Sequence, residues 1–187
     1  MPARAGGTNG ALRRAVVLSV RYGMLIALIM WIVAMASLSE HFLNLSNLLN
    51  VARQAAPIII IGVGMTFVMA TGGIDLSVGS MVALISVVSA SLLASGMPFA
   101  AVVVAALLFG ALLGAINGLL VWAGLPAFIA TLAALVSLRG LAFVYSKGYT
   151  IPVEDPGFLW LGRGDILSVN VPVVLAAAVA VAGWWLL

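Results

Sequence analysis

Asp75 is the only charged residue between Arg53 and Arg139, with 21 uncharged residues before it and 63 after it. Runs of that kind belong to a membrane. At ~1.5 Å rise per residue and a ~30 Å hydrocarbon core, about 20 residues make one crossing, so the longer run alone holds roughly three helices. Asp75 therefore sits among spans, where an ionisable group costs on the order of several kcal/mol unless it is paired, protonated or wetted. Two readings stay open: a short polar turn at a membrane face, and a direct part in transport.

Composition leads to the same class. With 65% hydrophobic and 7% charged residues, a soluble globule of this length would have almost no polar surface to show water. The net charge is only +3, and four of the eight basic residues, Arg4, Arg13, Arg14 and Arg21, precede the first apolar run. That bias speaks of membrane topology rather than nucleic-acid binding, and it places the N-terminus in the cytoplasm. The chain contains no cysteine and a single histidine, His41, which leaves neither a thiolate nor a histidine cluster for a metal.

The expected fold is an all-α polytopic bundle of about six transmembrane helices. Residues 1–21 read as a cytoplasmic basic tail, disordered at its start, and residues 22–187 as a transmembrane domain. Tyr22 to Leu38 is the first span. Ala34-Met35-Ala36 offers a small-x-small cleavage site, but the apolar run before it is longer than a usual signal segment and everything downstream is membrane-like as well. Residues 39–54 have Phe42, Leu45, Leu48, Leu49 and Ala52 three or four apart among polar positions, which suggests a helix along the outer interface. Residues 55–71 follow as the second span, with Pro57 in its first turn. Further spans are read at 76–94, 99–122 and 127–145, and a sixth begins at Val171. Residues 146–170 read as an external loop. Arg139, about two turns before the fifth span ends, either snorkels outward or faces a wet interior.

Two features bear on function. Gly110, Gly114 and Gly118 recur at four-residue spacing, a small-xxx-small ribbon against which another helix can approach closely. Between the second and third spans, Thr71-Gly72-Gly73-Ile74-Asp75-Leu76-Ser77-Val78-Gly79-Ser80 concentrates glycine, hydroxyl and carboxylate groups. Gly72, Gly73 and Gly79 loosen the helix, and Asp75 or Ser77 caps the next one by accepting its free N–H groups. Irregular backbone at membrane depth is tolerated only where it is buried in protein or lines water. Gly62-Val63-Gly64 is no dinucleotide fingerprint, because Phe67 stands where the third glycine belongs.

With those segments placed, the chain resembles the permease subunits of bacterial ABC sugar importers of the ribose, xylose, arabinose and galactose type, which include the autoinducer-2 importer permeases. One matching stretch runs from Leu43-Asn44-Leu45-Ser46-Asn47 through Gly64-Met65-Thr66-Phe67-Val68 to Gly73-Ile74-Asp75-Leu76-Ser77-Val78-Gly79; the other comprises Gly114-Ala115-Ile116-Asn117-Gly118, Pro126-Ala127-Phe128-Ile129-Ala130-Thr131-Leu132 and Leu138-Arg139-Gly140. The resemblance implies the first half of a ten-span helical subunit related in fold to the cobalamin importer permease. It further implies a second permease subunit, a cytoplasmic ATPase that uses the ATP, and a periplasmic sugar-binding protein, with no cofactor on this chain.

On that reading Asp75, Ser77, Asn117, Thr131 and Arg139 are candidates for the translocation path or its gate, in a bacterial inner-membrane protein that makes no covalent bonds. No Walker sequence occurs. The family's Tyr-Ala-x-Gly-Gly-Asn stretch, which opens the loop that meets the ATPase, would follow Trp184-Trp185-Leu186-Leu187. That ending leaves an uncoupled or regulatory membrane fragment as a second reading. A carrier or intramembrane enzyme built on Asp75 is a third, although such proteins gather several ionisable groups in the bundle.

Overall fold

The computed structural model describes the backbone from Thr8 to Leu187 and side chains from Tyr22 onward. Residues 1–7 of the expected tail fall outside the described residues, whereas the rest of it, from Thr8 to Arg21, already belongs to the first helix. That helix, α1, runs Thr8–Leu38 with no backbone break at residue 22. It is followed by α2 (Leu45–Ala70), α3 (Val78–Ala94), α4 (Phe99–Trp122), α5 (Ala127–Ser146), α6 (Pro156–Arg163), a two-stranded hairpin of β1 (Asp165–Ile166) and β2 (Val169–Asn170), and α7 (Val171–Leu186). Of these, α2, α4 and α5 are long and apolar enough to cross a membrane, while Tyr22–Leu38, α3 and α7 are shorter apolar helices. The all-α membrane architecture expected from the sequence is the one observed. Two compact units divide within α2, one ending at Val51 and the other comprising Ala52–Leu187.

Two boundaries differ from the sequence reading. The interfacial helix and the second span are one continuous helix, α2, and Pro57 lies in its interior rather than its first turn. The reason is local. Asn44 accepts the Ser46 N–H through its side chain and the Leu48 N–H through its carbonyl, so the helix starts there, and no stop signal intervenes before Pro57. The proline deprives only the Arg53 carbonyl of its partner.

The segment read as an external loop is structured as well. Asp155 accepts the Phe158 N–H with its carboxylate, and Pro156 occupies the first turn of α6, where its missing N–H would have been unsatisfied in any case. The hairpin then pairs Asp165 with Asn170 and Ile166 with Val169.

Four helices end on the same device. After α2, the Gly73 N–H reaches the Val68 carbonyl and the Gly72 N–H the Met69 carbonyl, a Schellman motif with Gly72 left-handed at φ 82°. Met97 and Gly96 close α3 in this way, Leu125 and Gly124 close α4, and Gly148 and Lys147 close α5. In the last case the left-handed position is held by Lys147 at φ 53°.

Within the second unit, α3 packs chiefly against α5 and then against α4. Leu84, Leu113, Leu138 and Ala142 form the buried centre of this trio, flanked by Met81, Ile85, Val88, Phe109 and Ala134. Many other apolar side chains face outward, as lipid permits: Leu107, Leu108, Trp122, Phe143 and Val144 are all exposed. The glycine ribbon is packed at one position only. A Cβ built on Gly110 would meet Ile85 of α3, whereas none at Gly114 or Gly118 would have a neighbour within 4 Å. Small residues allow close approach without enforcing it.

Candidate functional site

Between Gly72 and Val78 the chain is neither helix nor strand, yet it is held from three sides. The Asp75 carboxylate accepts two hydrogen bonds on Oδ1, from the Ser77 N–H at 2.7 Å and from Ser77 Oγ at 2.6 Å. Asn117, from α4, donates through Nδ2 to the same Ser77 Oγ at 2.9 Å. Thr131, from the first turns of α5, shares its one hydroxyl proton between the Ala127 carbonyl at 2.8 Å and the Ile74 carbonyl at 3.2 Å. Gly73 approaches Ala127 closely enough for a built Cβ to lie 3.8 Å from that residue's own.

The network has a direction. A serine hydroxyl carries one proton, and Ser77 gives it to Asp75, so the oxygen is free to receive from Asn117. Donation thus runs Asn117 to Ser77 to Asp75 and terminates on the carboxylate. Three of the four residues are shielded: Ser77 is 0% exposed, Thr131 3% and Asn117 6%, while Asp75 is half-buried. Charge-assisted bonds of this length, in surroundings of low dielectric, are stronger than neutral pairs in water.

Asn117 stands five residues before Trp122, the last residue of α4, or ~7.5 Å along the axis. The break is therefore inset from the helix end, where irregular backbone must find its partners in protein. Asp75, Ser77 and Thr131 satisfy that demand together with Asn117.

Four of the five candidate path residues are thus gathered at one place. The fifth, Arg139, is not among them. It is exposed and lines a separate groove of about 260 Å³ between α3 and α5 with Leu76, Gly79, Ser80, Ala83 and Leu135.

The helix-break assignments need two corrections. Gly79 lies inside the first turn of α3 and breaks nothing, because Gly72 already supplies the left-handed stop. Ser77 occupies the cap position of α3 but its side chain caps no N–H; its hydroxyl is committed to Asp75. Asp75 accepts the N–H of Ser77 itself, one residue ahead of the helix. The pairing of Ser77 with Asn117, forty residues apart, carries no local sequence signal.

A second hollow of about 320 Å³ runs between α4 and α5, lined by Leu113, Ile116, Leu120, Ile129 and Ala133, with Asn117 at its wall. It is almost wholly apolar and offers a sugar few partners.

The family described as "Branched-chain amino acid transport system / permease component" matches residues 47–187. The chain is 40% identical over 167 residues to the ribose import permease protein of Haemophilus influenzae, covering 87% of this chain and 52% of that protein. It is 36% identical over 169 residues to the D-allose transport system permease protein of Escherichia coli, covering 89% and 52% respectively. Against the galactofuranose transporter permease protein of Escherichia coli it is 35% identical over 139 residues, 74% of this chain and 41% of that one. No solved structure matches. The chain spans about half the length of the curated relatives it matches. The helical membrane architecture and the match over residues 47–187 make the chain a member of the family of branched-chain amino acid transport system permease components.

Proposed function

We propose that this chain builds part of the transmembrane path of an ABC importer for a monosaccharide, ribose or a related pentose or hexose. It does so beside a second permease subunit, with an ATPase subunit that consumes ATP and a periplasmic sugar-binding protein as partners. The single observation that carries this reading is the folding of the Gly73-Ile74-Asp75-Leu76-Ser77-Val78-Gly79 string. The most specific part of the sequence resemblance is also an inset, hydrogen-bonded break in the bundle. The work of such a subunit is conformational: two arrangements of a packed bundle, biased by ATP binding elsewhere.

In this reading Asp75, Ser77, Asn117 and Thr131 hold the α2–α3 break against α4 and α5, so that these helices move as one body beside the sugar path. Arg139 contributes to the path's wall from its own groove. The arginine bias before the first apolar run supports a cytoplasmic N-terminus and an external segment from 147 to 170, in a multi-pass protein of the bacterial inner membrane.

Exchange of this chain for the matching half of the Escherichia coli ribose import permease, in cells lacking their own copy, tests the proposal by uptake of labelled ribose, allose and galactose. Uptake of at least one, dependent on the binding protein and abolished by Asn117→Leu at unchanged membrane levels, is the expected result. A chimera that inserts normally and imports none of the sugars counts against it.

A further inference from the structure

The segment from 147 to 170 carries an unusual amount of exposed apolar surface for a chain portion outside the long helices. Leu167 is 95% exposed, Tyr149 77% and Trp160 50%. Leu167 also sits where leucine is ill suited: Leu167 and Ser168 form the two-residue hairpin turn with φ of 51° and 69°, positions that asparagine and glycine favour. An apolar side chain kept at the tip of such a turn points to something that covers it.

Two independent lengths within the second unit say at what depth this happens. The first is α4. Its 24 residues measure ~36 Å, slightly more than the ~30 Å hydrocarbon core and less than the ~40 Å bilayer with its headgroups. Trp122, 85% exposed, marks one end as an interfacial tryptophan would; Phe99 marks the other. Gly157 of α6 lies directly against the Phe99 ring, so α6 rests at headgroup level on the side opposite Trp122.

The second length is α7. Trp184 and Trp185, both strongly exposed, stand thirteen and fourteen residues beyond Val171, or ~20 Å. A hydrocarbon core of ~30 Å measured from that pair ends ~10 Å past Val171. That is the reach of the β1–β2 hairpin, which is tied to α7 by the Val171 N–H bonding to the Gly164 carbonyl at 2.8 Å. Both lengths put α6 and the hairpin at the same boundary.

The local build suits that boundary. Phe158 and Leu161 are half-buried, Leu159 and Trp160 face out, and Gly164 leaves room for the Trp160 ring and carbonyl packed over it. The charges of the segment are Lys147, Glu154, Asp155, Arg163 and Asp165, a nearly balanced set that favours neither an anionic nor a cationic partner. Apolar contact with an amphipathic aromatic at headgroup level is how interfacial anchors bind.

We propose that α6 and the β1–β2 hairpin form an interfacial lipid anchor, with Trp160 and Leu167 immersed at the hydrocarbon–headgroup boundary of the bilayer. The chain has no native cysteine, so nitroxide labels placed singly at Leu167→Cys and Trp160→Cys test it directly. The labelled chain is reconstituted in phosphatidylcholine–phosphatidylglycerol vesicles, and collision with oxygen, which concentrates in lipid, is compared with collision by a water-soluble nickel chelate. Leu107→Cys in the middle of α4 is the lipid reference and Glu154→Cys the water reference. Oxygen-to-nickel ratios several-fold above the Glu154 reference at both anchor sites are expected. A nickel-dominated ratio at either site overturns the anchor. Leu167 is almost wholly exposed, so its substitution leaves the packing intact, and each site checks the other.

Discussion

Asn117→Asp is the sharpest perturbation of the inset break, because it preserves shape while exchanging the donor for a charged acceptor. Ser77 Oγ has already given its proton to Asp75 at 2.6 Å, so an ionised carboxylate at position 117 would bring a second acceptor to 2.9 Å from the same oxygen. The site allows no easy escape to water, since Ser77 is fully buried. One hydrogen bond is lost and a buried acceptor is left unmatched, which together cost about 2–4 kcal/mol. The part that belongs to the pair is separable. In a Ser77→Ala background the opposing oxygen is gone, so the Asn117→Asp substitution should cost less by about 1–2 kcal/mol, a coupling of the size contacting residues show. Unfolding by SDS in mixed micelles, followed by tryptophan fluorescence, gives the four stabilities of the cycle. Strict additivity, within about 0.5 kcal/mol, would refute the directed Asn117–Ser77–Asp75 chain.

Three further outcomes follow from the same geometry. Asp75→Asn keeps an oxygen able to accept from the Ser77 N–H and Oγ and should cost about 1 kcal/mol or less, whereas Asp75→Ala leaves both donors without a partner and should cost about 1–3 kcal/mol; equal losses in the mixed-micelle assay would make the charge, not the acceptor, the important property. Gly110→Leu should destabilise by about 1–3 kcal/mol because Ile85 stands against it, while Gly114→Leu, with open space, should change stability by about 0.5 kcal/mol or less; a comparable loss at Gly114 would mean that another surface covers the ribbon. Glu154→Cys in intact cells should react with a membrane-impermeant maleimide and Arg13→Cys should not; the opposite pattern would invert the proposed topology.

Much of the fold was legible because membrane helices advertise themselves by length and by their stops. Gly96-Met97-Pro98 and Gly124-Leu125-Pro126 each combine a left-handed helix end with a proline that begins the next helix, and both boundaries fall where the sequence places them. Where the stop is unmarked, the reading fails. Lys147 adopts the left-handed position without glycine, and Pro57 resembles a helix start but is carried inside α2. Asp155-Pro156 does hold a cap and a first-turn proline, a signal for α6 that the surrounding glycines and charges obscured. At the site, the residue types and the family resemblance pointed to Asp75, Ser77, Asn117 and Thr131, but only the packing of α3 against α4 and α5 reveals that they touch. The glycine ribbon shows the converse: sequence marks what a surface permits, and Gly114 and Gly118 remain uncovered among the described residues.

The forty-residue separation of Ser77 from Asn117 also sets an order of events during synthesis. Chains emerge N-terminus first at about 5–20 residues per second, so Asp75 and Ser77 are made seconds before the side chains that receive them, and Thr131 comes later still. During that interval the start of α3 carries polar groups that lipid cannot satisfy. Helix α3 cannot be released alone into the bilayer at low cost; it must wait beside the insertion machinery until α4 and α5 arrive. The three helices thus enter as one cohort, and a ribosome stalled between codons 78 and 117 would leave a product for quality-control proteases to find.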